Sequence, residues 1–273
     1  MSNAIRVERD VVYGEAGRPL LCDVYEPDAA GANGAAVLLF HGGGFRVGSR
    51  ATMEDAATRL AERGYLAVAP EYRLLAEADW PAQIHDAKSV VRWLRTSAGR
   101  YGVDPSMIAV CGFSAGALAS LLIGGTADSG TLRGDGAHEQ VSERVAAVVA
   151  FFSPAGFLSA SISTPSERDA ARPLTHVSSG FPPTLLLHGT GDTLVPHATS
   201  VEIFDALAAA GAPVDLRLYA GLPHEFVRLP GMLDCCVTDI DIFLRRHLID
   251  REQFDTALAD LHRWWAERAQ ARR

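Results

Sequence analysis

Met107-Ile108-Ala109-Val110-Cys111 runs into Gly112-Phe113-Ser114-Ala115-Gly116, which opens onto Ala117-Leu118-Ala119-Ser120-Leu121-Leu122-Ile123. The first run has strand character and the last has helical character. A strand, a turn with glycines on either side and a helix leave the middle serine hydroxyl exposed at the helix N-terminus, which is what a nucleophile elbow requires. Ser114 is therefore the candidate nucleophile. In a chain with 25 glycines the pentapeptide alone is weak, and its weight comes from its company.

Upstream, Ala36-Val37-Leu38-Leu39-Phe40 reads as a buried strand leading into His41-Gly42-Gly43-Gly44-Phe45. In acyl transfer the carbonyl oxygen becomes an oxyanion, which pre-aimed backbone N–H groups stabilise. Consecutive glycines after a strand allow the backbone that close to a substrate. The expected oxyanion-hole donors are the amides of Gly42, Gly43 and Ala115. The bland alternative is a tight glycine turn without a ligand.

A serine hydroxyl needs a histidine to take its proton and a carboxylate to hold that histidine. In hydrolases built on an elbow the chain order is nucleophile, acid, base, each on a loop beyond a strand end. The strand Thr184-Leu185-Leu186-Leu187-His188 is followed by Gly189-Thr190-Gly191-Asp192, so Asp192 is the expected acid. Its alternative is a self-bonded Asx turn. The next strand, Val214 to Tyr219, is followed by Gly221-Leu222-Pro223-His224, and His224 is the expected base. His41 and His188 read as structural side chains at strand ends. His197 is the rival base, being close to Asp192 but ahead of the last strand. Glu225 reads as a salt-bridge or capping residue.

With these residues in hand the chain resembles the α/β-hydrolase esterases of the hormone-sensitive-lipase type. It is most similar to the small bacterial branch that includes feruloyl and acetylxylan esterases. The resemblance rests on His41 to Phe45, Glu71-Tyr72-Arg73-Leu74, Trp80-Pro81-Ala82-Gln83-Ile84-His85-Asp86-Ala87 leading to Val91-Arg92-Trp93-Leu94-Arg95, the elbow, His188 to Pro196, and Pro223-His224. It spans about residue 10 to about residue 248 and implies the same roles for Ser114, Asp192 and His224. Members commonly continue the serine-alanine pair as Gly-Gly-His. Here Gly116 is followed by Ala117-Leu118, for which altered packing under the elbow is expected.

The alternation of strand-like runs with helical patterns is the signature of a mostly parallel, doubly wound α/β sheet of eight strands, helices on both faces and an antiparallel start. The strands are expected near Arg6–Tyr13, Leu20–Tyr25, Ala36–Phe40, Leu66–Pro70, Met107–Gly112, Val145–Phe152, Thr184–His188 and Val214–Tyr219. Residues 1–250 are read as one hydrolase domain with a small lid at about 153–180, and 251–273 as a C-terminal amphipathic helix. The segment Gly124 to Gln140 reads as a mobile surface loop. In the C-terminal helix Phe254, Leu258, Leu261 and Trp265 share a face, with Trp264 beside it. Docking on its own domain is the expected use of that face, and a homodimer contact is the alternative.

The net charge of −8 gives no support to nucleic-acid binding. No phosphate-loop lysine or Gly-x-Gly-x-x-Gly pattern is present, and the cysteines show no metal spacing, so neither cofactor nor metal is expected. Cys22, Cys111, Cys235 and Cys236 read as reduced thiols of a cytoplasmic protein. No stretch has the length to span a bilayer and no leader pattern opens the chain, so neither membrane insertion nor export is expected.

The expected activity is hydrolysis of small, short-acyl carboxylic esters through an acyl-enzyme, since a small lid leaves an open, shallow site. Pocket candidates by position are Phe45, Phe113, Phe157, Val195 and Phe226; Phe113 also reads as core. An arylformamidase or other amide hydrolase would use the same triad. A non-catalytic hydrolase fold used for binding is the reading from another class.

Overall fold

The computed structural model describes residues 5–127, 130–134, 138–156, 162 and 164–271. Eight strands form one sheet in the order β1-β2-β4-β3-β5-β6-β7-β8. They are β1 (Arg6–Glu15), β2 (Pro19–Glu26), β3 (Ala36–Phe40), β4 (Leu66–Pro70), β5 (Ile108–Phe113), β6 (Ala147–Phe151), β7 (Thr184–Gly189) and β8 (Val214–Tyr219). β1 pairs antiparallel with β2 and β2 with β4, and every later pairing is parallel. This is the sheet the sequence predicts.

The central strands are apolar throughout because both faces are covered. In β3, Ala36, Leu38 and Phe40 face one core while Val37 and Leu39 face the other, the period of two that a pleated strand imposes. The first core is closed by α2 (Ala82–Ser97), α3 (Ala115–Gly125) and α5 (Ala198–Ala209), through residues such as Ile84, Leu118 and Leu207. The second is closed by α1 (Glu54–Ala61) and α6 (Met232–Leu244), through Leu60 and Ile240. Each such side chain stabilises the fold by roughly 1.5–3 kcal/mol of transfer free energy.

In the segment expected to form a lid, α4 (Pro165–Ala170) is capped by Thr164, whose side chain accepts from Glu167 N–H while Glu167 reaches back to Thr164. Phe157 lies outside the described residues.

Two expectations are corrected. The stretch 124–140 is tied down where described: Leu132 is buried, and the Arg133 guanidinium bonds the Glu143 carboxylate at 2.9 Å. Glu143 also neutralises Lys88 (3.3 Å) and Arg92 (3.5 Å). These two α2 cations are fully buried and would be intolerable there unpaired. The second correction concerns the C-terminal helix. After α6 the chain makes a π-helical turn (Arg245–Ile249) and enters α7 (Arg251–Ala271). From Arg251 to Gln270 every residue of α7 is exposed, including Trp264 at 42% and Trp265 at 56%, so this stretch does not dock on its own sheet.

Candidate active site

The elbow is fixed by backbone crowding. A Cβ on Gly112 would lie 2.0 Å from the Gly116 carbonyl oxygen, and one on Gly116 would lie 2.2 Å from that of Phe40. No residue but glycine fits either place. Between them Ser114 takes φ 54° and ψ −114°, a conformation an L-residue adopts only under constraint. Its N–H is anchored on the Phe151 carbonyl (2.9 Å). The result is a serine at the N-terminus of α3 with its hydroxyl free to meet the loops beyond β7 and β8.

The structure brings Ser114, His224 and Asp192 together. Ser114 Oγ lies 3.2 Å from His224 Nε2, and His224 Nδ1 lies 2.6 Å from Asp192 Oδ2. A carboxylate only accepts, so Nδ1 carries the proton and Nε2 is left to accept the serine proton. The other Asp192 oxygen accepts from the N–H groups of Leu194 (2.9 Å) and Val195 (2.8 Å). Burial alone would raise the Asp192 carboxyl, but the Val195 N–H, His224 and the Leu194 N–H outweigh it and hold the group below its ordinary value.

His188, read as structural, touches the acid as well. Its Nε2 lies 3.2 Å from Asp192 Oδ2 and 3.0 Å from the Val195 carbonyl, while Nδ1 takes a bond from the Ser200 hydroxyl at 2.7 Å. Both neighbours of Nε2 can only accept, so Nε2–H is the tautomer present. Asp192 is thus held by two imidazoles and two amides. His197, the rival base, stands at the N-terminus of α5 with no side-chain capping bond, and it is His224 that pairs with Asp192.

The loop after β3 is shaped by glycine and held by an aromatic stack. Gly43 has φ 112°, and a Cβ there would lie 2.0 Å from the Val47 carbonyl oxygen. His41 Nδ1 donates to the Gly42 carbonyl (2.7 Å), and its ring stacks on Tyr72 at 4.3 Å. The Tyr72 hydroxyl donates to the His41 carbonyl (2.7 Å). Gly42 lies directly against Ser114, its Cβ position 3.3 Å from Ser114 Cβ. Among the described residues the Gly42 and Gly43 amides have no backbone acceptor. The Ala115 amide is in the first turn of α3, where no intrahelical carbonyl reaches it.

A cavity of about 540 Å³ opens beside this loop, lined by Gly42, Gly43, Met53, Phe113, Phe152, Val227 and Leu233 among others. Phe113 stacks on Phe151 at 4.5 Å and lines the cavity. Two pocket candidates are corrected. Phe45 is fully buried against Tyr72 and Trp80, where it props the glycine loop from behind. Phe226 is fully buried behind Phe152 and Tyr219. The backbone of Val195 braces Asp192 and His188, and its side chain is half-buried. The residue that sequence reasoning missed is Phe152, whose ring packs 4.5 Å from that of His224 and which has φ 40°. Its signal was its place one residue past the end of β6, where site residues of parallel sheets gather. Glu225 pairs with Arg228 at 3.0 Å, as expected.

Burial makes His41, His188 and His247 harder to protonate than free imidazole. Below the free value of 6.5 the unfolded chain therefore binds protons that the folded chain refuses. The stability these groups contribute is complete above 6.5 and is lost as pH falls through 6.5 toward their folded values. The lowered Asp192 adds a loss of the same sign further down, as pH falls below the 3.8 of a free carboxyl through its folded value. Thermal midpoints measured across this range should fall on acidification from neutrality; a midpoint that holds or rises below 6.5 would contradict these burial effects.

The sequence model of the BD-FAE family matches residues 22–207, which is more than half of the chain. The chain belongs to the BD-FAE family. It is 31% identical over 235 residues to "Esterase LipQ" of Mycobacterium tuberculosis, an alignment that covers 79% of this chain and 55% of that protein. The chain spans little more than half the length of such curated relatives. Among solved structures it is similar to Thermogutta terrifontis esterase 2 phosphorylated by paraoxon, with TM-score 0.79, 26% identity and coverage of 90% and 95% of the two chains. The butyrate-bound form of that esterase matches with TM-score 0.76, 25% identity and coverage of 89% and 93%. This BD-FAE chain therefore has the α/β-hydrolase fold.

Proposed function

We propose that the protein is a serine carboxylesterase for small, short-acyl esters. The observation that carries this reading is the continuous hydrogen-bonded line from Ser114 Oγ through His224 to Asp192, beside a glycine loop whose Gly42 and Gly43 amides have no backbone acceptor among the described residues. In the first half-reaction His224 Nε2 takes the Ser114 proton as Oγ attacks the ester carbonyl. The amides of Gly42, Gly43 and Ala115 stabilise the oxyanion. Collapse breaks the bond to the alcohol, which leaves with the proton from His224, and the acyl group remains on Ser114. Water, deprotonated by His224, then attacks the acyl-enzyme; the acid leaves and Ser114 recovers its proton. Asp192 stabilises the imidazolium in both halves.

The acyl preference rests on the cavity. Its volume of about 540 Å³ lies within the range of small-molecule sites. Binding of butyrate by the Thermogutta esterase supports the same size class. Among the described residues no helix is long and apolar enough to cross a membrane, and all four cysteines are free. We place the protein in the cytoplasm, where thiols stay reduced, and take it to self-associate as a homodimer.

The test is the initial rate on p-nitrophenyl esters from acetate to laurate, with N-formylkynurenine and a feruloyl ester in parallel. A maximum at acetate or butyrate supports the reading. Formamide turnover exceeding ester turnover by orders of magnitude would replace it with an amide hydrolase.

A further inference from the structure

We infer that α7 is a self-pairing helix through which two copies of the chain join antiparallel about a two-fold axis. The inference rests on the self-association just proposed and assigns it a surface and a register.

An amphipathic helix draws most of its stability in water from the face it buries, yet α7 is exposed at every residue from Arg251 to Gln270. Its apolar stripe is Phe254 (41% exposed), Leu258 (52%), Leu261 (50%) and Trp265 (56%). Nothing among the described residues buries these side chains.

The occupant follows from the order of the stripe. The intervals between its members are four, three and four residues, so the spacing reads the same in both directions. A second copy running the opposite way therefore sets Phe254 against its Trp265, and Leu258 against its Leu261. That is the self-complementarity a two-fold contact needs. Charge follows the same plan. The first half of α7 holds Arg251 against Glu252, Asp255 and Asp260, and the second half holds Arg263 and Arg268 against Glu267. An antiparallel partner lays the acidic half along the basic half, whereas a parallel one lays like on like.

An aromatic side chain covers roughly 150–250 Å². With these residues about half exposed, two such faces cover on the order of 1,000 Å², the lower end of specific interfaces. The pairing is accordingly one that dissociates on dilution. A membrane surface is the poorer occupant, because a chain of net charge −8 is repelled by anionic lipid and an interfacial helix has no use for a reversible spacing.

The test is sedimentation velocity of the full chain across low to high micromolar concentration, with circular dichroism to confirm folding. Wild type should move from monomer to dimer mass. Leu261→Glu should stay monomeric over the same range with ester turnover unchanged. Leu258→Glu combined with Leu261→Lys should regain the dimer, because opposite charges then face each other in the antiparallel register and like charges in a parallel one. A wild type that is monomeric throughout, including one that co-sediments with anionic vesicles, overturns the self-association itself. A dimer that survives Leu261→Glu overturns the assigned surface. A combined variant no better than Leu261→Glu overturns the register.

Discussion

Ser114→Ala should lower kcat on a p-nitrophenyl ester by roughly four to six orders of magnitude, because the triad acts as a unit and removal of its nucleophile disables the whole. The fold should be untouched. The anchor of residue 114 is its backbone N–H on Phe151, which alanine retains, and the left-handed conformation is imposed by Gly112 and Gly116 on either side. A residual rate above the uncatalysed reaction would report the glycine loop and binding alone. His224→Ala should cost a similar amount, and the double variant little more than either single one. Near-wild-type turnover in Ser114→Ala, with the thermal midpoint unchanged, would remove Ser114 from the chemistry.

Gly112→Ala should have the largest effect on stability. Its new methyl would stand 2.0 Å from the Gly116 carbonyl oxygen and 2.5 Å from the Ala117 nitrogen, both backbone atoms with no room to retreat. Relief requires separating β5 from α3 at the centre of the sheet, where both are fully packed. We expect a loss of more than about 4 kcal/mol, the range reserved for overpacked cores and strained backbone. The thermal midpoint should drop by about 10 °C or more, or soluble protein should be lost. Gly99→Ala is the control: nothing lies within 4 Å of its added methyl, and its midpoint should be unchanged. Equal behaviour of the two variants would mean that the elbow is looser than its geometry states.

The sheet was legible because its middle strands are buried on both faces and therefore read as unbroken apolar runs. Glycine-rich loops beyond their carboxyl ends mark the site, and chain order alone separated His224 from His197. Phe45 and Phe226 misled because an aromatic beside a motif is equally useful in front of a loop or behind it, and sequence does not say which way the loop turns. Phe45 sits behind its loop because the backbone there adopts φ 58° and turns the ring onto Tyr72 and Trp80. The tether at Glu143 escaped because a carboxylate that neutralises buried Lys88 and Arg92 from 55 and 51 residues away leaves no periodic trace. The bare face of α7 escaped for another reason: a stripe meant for its own sheet and one meant for a second copy have the same composition.

The central claim is that Ser114 is an activated nucleophile, and the most direct measurement is the mass of the intact protein and its peptides after treatment with paraoxon. One diethylphosphoryl group should appear per chain, on the peptide bearing Ser114, in step with loss of ester turnover, and Ser114→Ala should remain unlabelled. Full inactivation with the label elsewhere, or ester turnover that persists after Ser114 is labelled, would contradict the account.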